Sequence, residues 1–482
     1  MIIKINRKEV CKLNLRYKNL AKNSMIFLIA NFGSKFLSFI LVPFYTHVLN
    51  TGEYGTVDTL VSTVSLFSPI ATLGIGDVII MFLSKKEYDA KKIFTNATLL
   101  ILIGNFLVSF IYPLFFIFNI FREFILYFIL LVIISSIYGV LQMYIRGIGK
   151  VAACAASGVI YTFTLAVSNI ILLLYFKQGI SGYLISAVLA YLLPSLYLLV
   201  IATDKCFKYS FIDINLIKQI LKLSIPLMPT AILWVLMNLS DKYAILWFVG
   251  TSGNGIYAVA HKIPTIISVV YGIFQQAWQL TTFELETKEE RSRTYTNVFE
   301  LLTGILFILG AVLIILNRVY ITYGCNENYL EAWKISPILM YSSILNCVSG
   351  LLGSNYLIMH DTKSALKVTA VGAFINTILN FILVPICGLY GAALATIVGY
   401  LYMVVKKYFD TSIFTPLRIK IKRFIFTNII FVCMFFSAFW ESQLLFYSVN
   451  SLLVILIVIL YNEQLKKMVH TIKNMLLKKK VN

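Results

Sequence analysis

The sequence predicts an all-α protein that crosses a lipid bilayer many times. Only 13% of the 482 residues are charged and 59% are hydrophobic, which is too apolar for a soluble protein of this size. Apolar stretches of about 20 residues, the length that crosses the hydrocarbon core as a helix, recur along almost the whole chain. Short polar breaks separate these stretches. Together these observations exclude an ordinary soluble enzyme.

Hydropathy predicts about fourteen transmembrane spans. Prolines within or at the ends of several spans are typical of kinked helices, because neighbouring helices can satisfy the freed carbonyl groups. The predicted spans are residues 25–49, 56–83, 94–118, 124–145, 151–176, 183–201, 223–249, 255–283, 298–316, 335–359, 366–386, 389–405, 424–440 and 444–461.

Lys and Arg are distributed very unevenly between the two sides of the membrane, and basic flanks are retained in the cytoplasm during insertion. With a cytoplasmic N-terminus, 34 of the 41 basic residues fall on that side. The four on the other side are Arg122, Lys177, Arg318 and Lys334. The remaining three lie inside predicted spans and are Lys35, Lys242 and Lys262. We therefore expect both termini to lie in the cytoplasm.

The formal net charge of +20 is concentrated in the segments that flank the membrane. Such segments face the anionic lipids of the cytoplasmic leaflet, so we expect the bilayer and not nucleic acid as the partner of this charge. The seven cysteines form no CxxC pair and the four histidines stand far apart. We therefore expect no metal site, no disulfide framework and no bound cofactor.

Two motifs recur about 200 to 210 positions apart, as in transporters that are built from duplicated bundles. VLNTGEYGTVD, which begins at residue 48, is echoed by FVGTSGNGIYA, which begins at residue 248. This match aligns Thr51 with Thr251 and Gly55 with Gly255. In the second motif an Asn and an apolar run precede GISGYLISA in one half and GLYGAALAT in the other.

Each pair of motifs lies on one predicted side of the membrane, which indicates two halves in parallel orientation. We predict an N-terminal lobe of six spans at 1–215 and a C-terminal lobe of six spans at 216–410. Residues 411–482 form two further spans and a basic tail, and the basic segment 406–423 precedes them. The two lobes are expected to surround a central cavity.

Polar side chains inside the spans are the candidate functional residues, because ionisable groups at membrane depth are costly and normally face water or a partner. Lys35 lies near the middle of the first span, and Asn31 and Ser38 share its helix face. Asp58 begins a polar stripe on the second span, and Asp77 lies closer to the cytoplasm. The central position of Lys35 favours a functional role.

The seventh and eighth spans carry a second set of polar residues. These are Asn238, Asp241 and Lys242 on the seventh span and His261, Lys262 and Gln275 on the eighth. Asp241 and Lys242 are consistent with a transport role and equally with an ion pair that stabilises the fold. His261 is consistent with an interfacial residue or with a proton-coupled step. Ser and Thr stripes more often join helices than bind substrate.

The chain carries no recognisable enzyme signature. GIGK at 147–150 is not part of a GxxxxGK[ST] phosphate loop, so the sequence does not support ATP-driven transport by this chain. The longest predicted external segment, at about 317–334, is too short to hold a catalytic domain. We expect that the protein is not an enzyme.

Several segments resemble the polysaccharide flippase family of the multidrug/oligosaccharidyl-lipid/polysaccharide exporter superfamily. The resemblance covers most of the chain, and its most specific block runs from 221 to 284, with an Asp, a Gly-x-Tyr turn and a Gln-x-x-Trp helix end. The segments are LVPFYTHVLNTGEYGTVD (41–58), LGIGDVIIMF (73–82), LKLSIPLMP (221–229), LSDKYAILWFVGTSGNGIYAVAHKI (239–263), FQQAWQLTTFE (274–284) and GLYGAALAT (388–396).

This resemblance implies a flippase that moves an isoprenoid pyrophosphate-linked oligosaccharide from the inner to the outer leaflet for O-antigen, capsule or exopolysaccharide synthesis. Other polysaccharide-assembly membrane proteins would be its partners. Such a headgroup needs cationic and hydroxyl-bearing walls. The expected substrate-binding residues are Lys35, Lys242, Lys262, Asn31, Asn238 and Gln275. The residues expected to serve ion coupling or gating are Asp58, Asp77, Asp241 and His261.

Movement of the substrate would follow from alternating access, in which the two lobes rock about the central site. A proton or sodium gradient and consumption of substrate on the far side are both compatible with the sequence. Three other functions stay open. They are a peptidoglycan-precursor or spore-wall flippase, a multidrug antiporter of the same superfamily, which a cationic cavity disfavours, and a membrane glycan polymerase, which short external loops disfavour.

Overall fold

The computed structural model is helical throughout the part of the chain that it describes, in which no β-strand occurs. The described residues are 39–85, 88–112, 119–202, 209–282, 287–359, 361–417 and 419–467. This architecture confirms the predicted all-α class.

Eight helices make up the first part of the described chain, and side-chain caps begin two of them. Asp89 accepts a hydrogen bond from the backbone N–H of Lys91, and Asp213 accepts from that of Asn215, each at 3.0 Å. The helices are α1 (Phe39–Val48), α2 (Thr51–Ala71), α3 (Gly76–Lys85), α4 (Ala90–Ser109), α5 (Asn119–Gly147), α6 (Val151–Asn169, extended by a π-helical turn Ile170–Tyr175), α7 (Gly179–Ile201) and α8 (Ile214–Ser224).

Eight more helices follow, several of which are much longer. They are α9 (Met228–Phe248), α10 (Thr251–Lys262), α11 (Pro264–Thr282), α12 (Lys288–Gly324), α13 (Ala332–Ile358), α14 (Thr362–Ser412), α15 (Ile421–Ser437) and α16 (Gln443–Leu460).

The helices reproduce the predicted pattern of spans. Among the described residues, nine helices are long and apolar enough to cross a membrane, and the bent pairs α2–α3 (48°) and α10–α11 (44°) raise the number to eleven. The 51 residues of α14 would extend about 75 Å as one straight helix, more than twice the thickness of a hydrocarbon core. Its backbone breaks at Gly388, where φ is 56°. The two arms of α14 therefore correspond to the two spans predicted on either side of that glycine.

The described chain divides into two compact units. The first contains the described residues up to Leu41 and from Thr56 to Val235, and the second contains Val42–Gly55 and the described residues from Leu236 onward. The predicted lobe boundaries at 215 and 410 stay predictions.

The first unit has its core where α3, α4, α5 and α8 meet. Ile79, Ile93, Ile145 and Leu216 are completely buried there. The side chain of Asn96 joins α4 to the segment before α8, because its amide donates to the Phe211 carbonyl and accepts from the Asp213 N–H, both at 3.0 Å. This amide satisfies backbone groups that an apolar core would otherwise leave unpaired.

The second unit is built around α13. Within the unit, 83% of the most apolar stretch of α13 is buried, against 17% for α16. Many small residues occupy this helix, which lets neighbouring helices approach its backbone closely. For example, the Ser336 hydroxyl lies 2.9 Å from the carbonyl oxygen of Ala260 on α10. α13 thereby holds α10, α11, α12 and α14 in fixed positions around it.

Candidate functional site

A buried carboxylate on α9 is the centre of the candidate site. Asp241 is only 4% exposed. It lies in the middle of an apolar helix whose composition is compatible with a membrane crossing. A charge at this depth is costly, so such residues commonly mark ion pathways or proton relays.

Four neutral side chains donate hydrogen bonds to the two carboxylate oxygens of Asp241. Its Oδ1 accepts from Asn380 at 2.6 Å and from Asn376 at 3.3 Å. Its Oδ2 accepts from the Thr396 hydroxyl at 2.8 Å and from the Tyr257 hydroxyl at 3.0 Å. No cationic side chain of the described chain pairs with this carboxylate. The negative charge is therefore solvated by fixed dipoles but is not neutralised.

A second layer of hydrogen bonds orients the two asparagines. The Ser240 hydroxyl lies 2.7 Å from Oδ1 of Asn376 and 3.1 Å from Nδ2 of Asn380. Asn376 also donates to Oγ1 of Thr396 at 3.2 Å. Oδ1 of Asn380 is buried and has no hydrogen-bond donor among the described residues. The network thus contains one spare oxygen close to an unneutralised carboxylate.

The bend of α14 creates this arrangement. Asn376 and Asn380 lie on its first arm, and Thr396 lies on its second arm, where it also reaches the Ala392 carbonyl oxygen at 3.0 Å. The break at Gly388 turns the chain back on itself, so that residues 20 positions apart touch. Gly391 permits the close approach of the two arms, since a Cβ there would collide with the backbone of Leu383.

These oxygens have the chemistry to hold a proton or a hard cation such as sodium. Hard cations are bound by carboxylate, amide, hydroxyl and backbone oxygens, and all four types are present around Asp241. Rotation of the Asn380 side-chain amide by 180° would turn its spare oxygen toward the carboxylate. That orientation is favourable only when a cation or a proton lies between the two oxygens.

Several residues predicted from the sequence lie near this network. His261 follows Tyr257 by one helical turn, and the two rings are 6.3 Å apart. Lys242 is partly exposed, and its backbone carbonyl accepts from Asn254 at 2.9 Å. All partners of Asp241 within the described chain are neutral, so the alternative of an Asp241–Lys242 ion pair is not supported.

Three other predicted residues of the second unit do not belong to this network. Lys262 is the last residue of α10, Gln275 is partly exposed on α11, and Asn238 is exposed on α9. In the first unit, Asp58 is partly exposed on α2 and Asp77 is exposed in the first turn of α3. Asn31 and Lys35 lie outside the described residues.

The partners of Asp241 were missed by the sequence reasoning. Asn376 and Tyr257 carry no charge and belong to no spacing that predicts a site. A signal did exist for Asn380 and Thr396, because they begin and end the second copy of the repeated Asn–apolar–Gly-x-x-Gly motif. The repeat indicated a helix pair, but not that its two ends face one carboxylate.

Comparison with known proteins identifies the family. Residues 20–279, more than half of the chain, match the family described as polysaccharide biosynthesis protein. The chain belongs to this family. The resemblance seen in the sequence motifs is thereby confirmed, and Asp241, Tyr257 and His261 lie within the matched region.

The chain is 26% identical to the uncharacterized membrane protein MJ1375 of Methanocaldococcus jannaschii, over 83% of this chain and 99% of the relative. The fold of the chain is similar to that of lipid II flippase MurJ in an inward closed conformation, with a TM-score of 0.73 and 15% identity. This match covers 92% of this chain and 99% of the flippase. The fold of the chain is also similar to that of an inward-facing multidrug transporter of the MATE family, with a TM-score of 0.59 and 12% identity. This match covers 81% of this chain and 94% of the transporter. These likenesses show a shared fold.

Proposed function

We propose that the protein is a flippase that moves an isoprenoid pyrophosphate-linked oligosaccharide across the cytoplasmic membrane for O-antigen, capsule or exopolysaccharide synthesis. Family membership supports a role in polysaccharide biosynthesis, and the many apolar helices support a membrane substrate. The protein would act by alternating access, without enzymatic chemistry, with both termini in the cytoplasm. Lys35, Lys242 and Lys262 would attract the pyrophosphate.

The buried, unneutralised carboxylate of Asp241 is the observation that best supports a transport cycle. A carboxylate that is bound only by neutral donors can exchange a proton or a sodium ion without breaking an internal ion pair. Binding of the cation would rotate the side-chain amide of Asn380 on α14, so that its Oδ1 replaces its Nδ2 next to Asp241 on α9. We therefore propose that Asp241 couples substrate movement to a proton or sodium gradient.

A reconstituted transport assay tests the proposed substrate. Purified protein is inserted into liposomes that contain a fluorescent isoprenoid pyrophosphate-linked oligosaccharide, and a membrane-impermeant quencher reports how much label is accessible outside. Active protein should raise the accessible fraction from about one half toward completeness, because lipids of the inner leaflet also reach the outside. No gain over protein-free liposomes would contradict the proposal.

The coupling role is tested by Asp241→Asn, which keeps the size of the side chain and removes its charge. We expect transport to fall to background and to lose its response to an imposed sodium or proton gradient. Glu327→Gln is the matched control, because it removes an exposed carboxylate in the same unit. Gradient-dependent transport by the Asp241→Asn variant would refute the role of Asp241.

The role of Lys35 is tested in cells, since it concerns binding of the anionic headgroup. In a strain that lacks its own flippase, Lys35→Ala should restore much less surface glycan than the unaltered protein at matched expression. Full restoration would show that this lysine does not attract the pyrophosphate.

A peptidoglycan-precursor flippase is the second candidate, and the fold comparison favours it over a multidrug antiporter. The chain matches the lipid II flippase over 92% of its length with a TM-score of 0.73, against 81% and 0.59 for the multidrug transporter. The liposome assay separates the candidates when it is repeated with a fluorescent lipid II and with a cationic dye. Preference for lipid II over other glycan lipids would select the second candidate.

A further inference from the structure

We propose that the second unit contains a binding site for a phosphoryl group, formed by Lys407, Ser349 and Tyr271 where α11, α13 and α14 meet. From its sequence, Lys407 is predicted to lie in the basic cytoplasmic segment 406–423. The structure instead places this side chain inside the helix bundle, where it is only 4% exposed. This inference depends on the geometry of one unit and not on the proposed transport function.

Lys407 has no acidic partner in the described chain. Its Nζ donates to the hydroxyl oxygen of Ser349 at 2.9 Å and to the Ser349 carbonyl oxygen at 3.2 Å. An ammonium group has three N–H donors, so one stays unused. The nearest acidic residue along the helix, Asp410, is occupied by Lys406 at 2.8 Å and by the Tyr356 hydroxyl at 3.0 Å.

The hydroxyl groups of Ser349 and Tyr271 also have unused donors. Ser349 accepts a hydrogen bond from Lys407, and its own O–H donates to no group among the described residues. The Tyr271 hydroxyl on α11 is buried and has no hydrogen-bond partner in the same part of the chain. A buried donor without a partner costs about 1–3 kcal/mol, so three such donors in one region call for an acceptor.

Two glycines of α13 lie beside these donors. Gly350 and Gly353 lie one turn apart and are both partly exposed. A Cβ on Gly350 would come within 3.0 Å of the Tyr271 hydroxyl oxygen. A Cβ on Gly353 would lie 3.3 Å from Nζ of Lys407 and near no other residue. Residues three positions apart on a helix have Cβ atoms about 5–6 Å apart, so the Tyr271 hydroxyl and Nζ of Lys407 lie beside one face of α13.

A phosphoryl group matches these donors. Its oxygens can accept from the lysine N–H, the serine O–H and the tyrosine O–H at once, and charge-assisted bonds of this kind are about twice as strong as neutral ones. Its negative charge would also neutralise the buried ammonium, whose isolation in an apolar interior is unfavourable. Either free phosphate or the headgroup of a phosphorylated lipid could supply this group.

Thermal unfolding of the purified full-length protein in detergent tests the site. The probes are inorganic pyrophosphate, farnesyl diphosphate added to the micelles, and sodium chloride at equal ionic strength. We expect the unfolding temperature to rise with at least one diphosphate and not with chloride. A rise with the inorganic probe supports a soluble ligand, and a rise with only the isoprenyl probe supports a lipid headgroup.

Lys407→Met should reduce this rise, and the neighbouring exposed Lys406→Met should retain it in full. Without any anion, Lys407→Met should unfold at a temperature equal to or above that of the unaltered protein, because a buried lone charge has been removed. Tyr271→Phe removes a hydroxyl that has no partner, should fold normally, and should reduce the diphosphate-dependent rise. The site is refuted if neither diphosphate stabilises the protein, if chloride does so equally, or if Lys407→Met and Tyr271→Phe respond like the unaltered protein.

Discussion

Gly55 and Gly255 each lie against the backbone of the other's helix. A Cβ on Gly55 would come within 3.0 Å of the Thr251 carbonyl oxygen, and a Cβ on Gly255 would come equally close to the Thr51 carbonyl oxygen. Both contacts lie inside the second unit, which includes the first residues of α2. The repeated Thr and Gly residues of the two sequence halves therefore meet in a reciprocal crossing of α2 and α10.

This crossing predicts that a single methyl group is harmful at either glycine. Gly55→Ala and Gly255→Ala should each lower the free energy of unfolding by about 1–3 kcal/mol, because the obstructing atoms are backbone and cannot rotate away. The double variant should lose less free energy of unfolding than the two single variants together, since the first substitution already separates the helices. Thermal unfolding in detergent measures these effects.

Gly272→Ala on α11 is the control for this prediction. A Cβ there would meet no neighbouring atom, so the substitution should be neutral or stabilising by up to about 1 kcal/mol through the better helix propensity of Ala. Equal destabilisation by all three substitutions would contradict the special role of the crossing.

Thr396→Val tests whether the Asp241 network responds to a cation. The variant removes a hydroxyl donor that lies 2.8 Å from the carboxylate, which should cost about 1–2 kcal/mol and weaken any stabilisation by sodium or by low pH. The measurement is the unfolding temperature over a series of sodium concentrations and pH values.

Thr369→Val provides a close control on the same helix. Thr369 is also buried and bonds the carbonyl oxygen one turn earlier, Ala365, at 2.9 Å, but it does not reach Asp241. The cation response should therefore be unchanged in this variant. An identical loss of response in both variants would assign the effect to helix packing.

Cys325 should react slowly with maleimide at neutral pH. Burial raises the pKa of its thiol to about 11, and a hydrogen bond with Thr46 lowers it by a smaller amount. Only the thiolate reacts, so a raised pKa means that little thiolate exists at pH 8 and that labelling should accelerate about tenfold per pH unit up to pH 10. Labelling of a variant that keeps only this cysteine measures the rate.

An exposed position two residues away gives the reference rate for this labelling. Glu327→Cys, made without Cys325, should label much faster at pH 8, because nothing buries its thiol. Equal rates at the two positions would show that residues 42–55, which pack on this region through Thr46, do not protect Cys325.

Arg318→Lys should loosen α16 although it keeps the charge. The guanidinium of Arg318 lies between the rings of Trp333 at 4.4 Å and Phe446 at 4.7 Å, and it donates to the Glu441 carbonyl oxygen at 3.2 Å. A lysine cannot reproduce a planar group stacked between two rings, so we expect a loss of about 1–2 kcal/mol. Hydrogen exchange should become faster in α16, and the exposed Arg293→Lys on α12 should leave it unchanged.

Much of the fold was predictable because membrane insertion is encoded locally. A span needs only a sufficient length of apolar residues, and the described helices fall where hydropathy places them, including the division of α14 at Gly388. The repeat of Thr51 and Gly55 at Thr251 and Gly255 was also visible in the sequence. Its meaning was not, because a reciprocal backbone contact leaves no trace in hydropathy.

The candidate sites were predictable only in part. Asp241 stood out in the sequence because a carboxylate in an apolar span is rare. Its partners did not, because Asn376, Asn380 and Thr396 are polar but uncharged and resemble residues that join helices. Lys407 was assigned to the wrong environment, since a lysine at the end of a span is normally a flanking residue.

The sequence by itself therefore determined that the protein is helical, that it crosses a membrane many times, and to which family it belongs. These properties depend on length, composition and motifs that are continuous along the chain. Only the tertiary structure decided which polar groups share a site, because the bend of α14 and the packing around α13 join residues that are distant in sequence. Whether a buried charge such as Asp241 or Lys407 has a partner is a property of that packing.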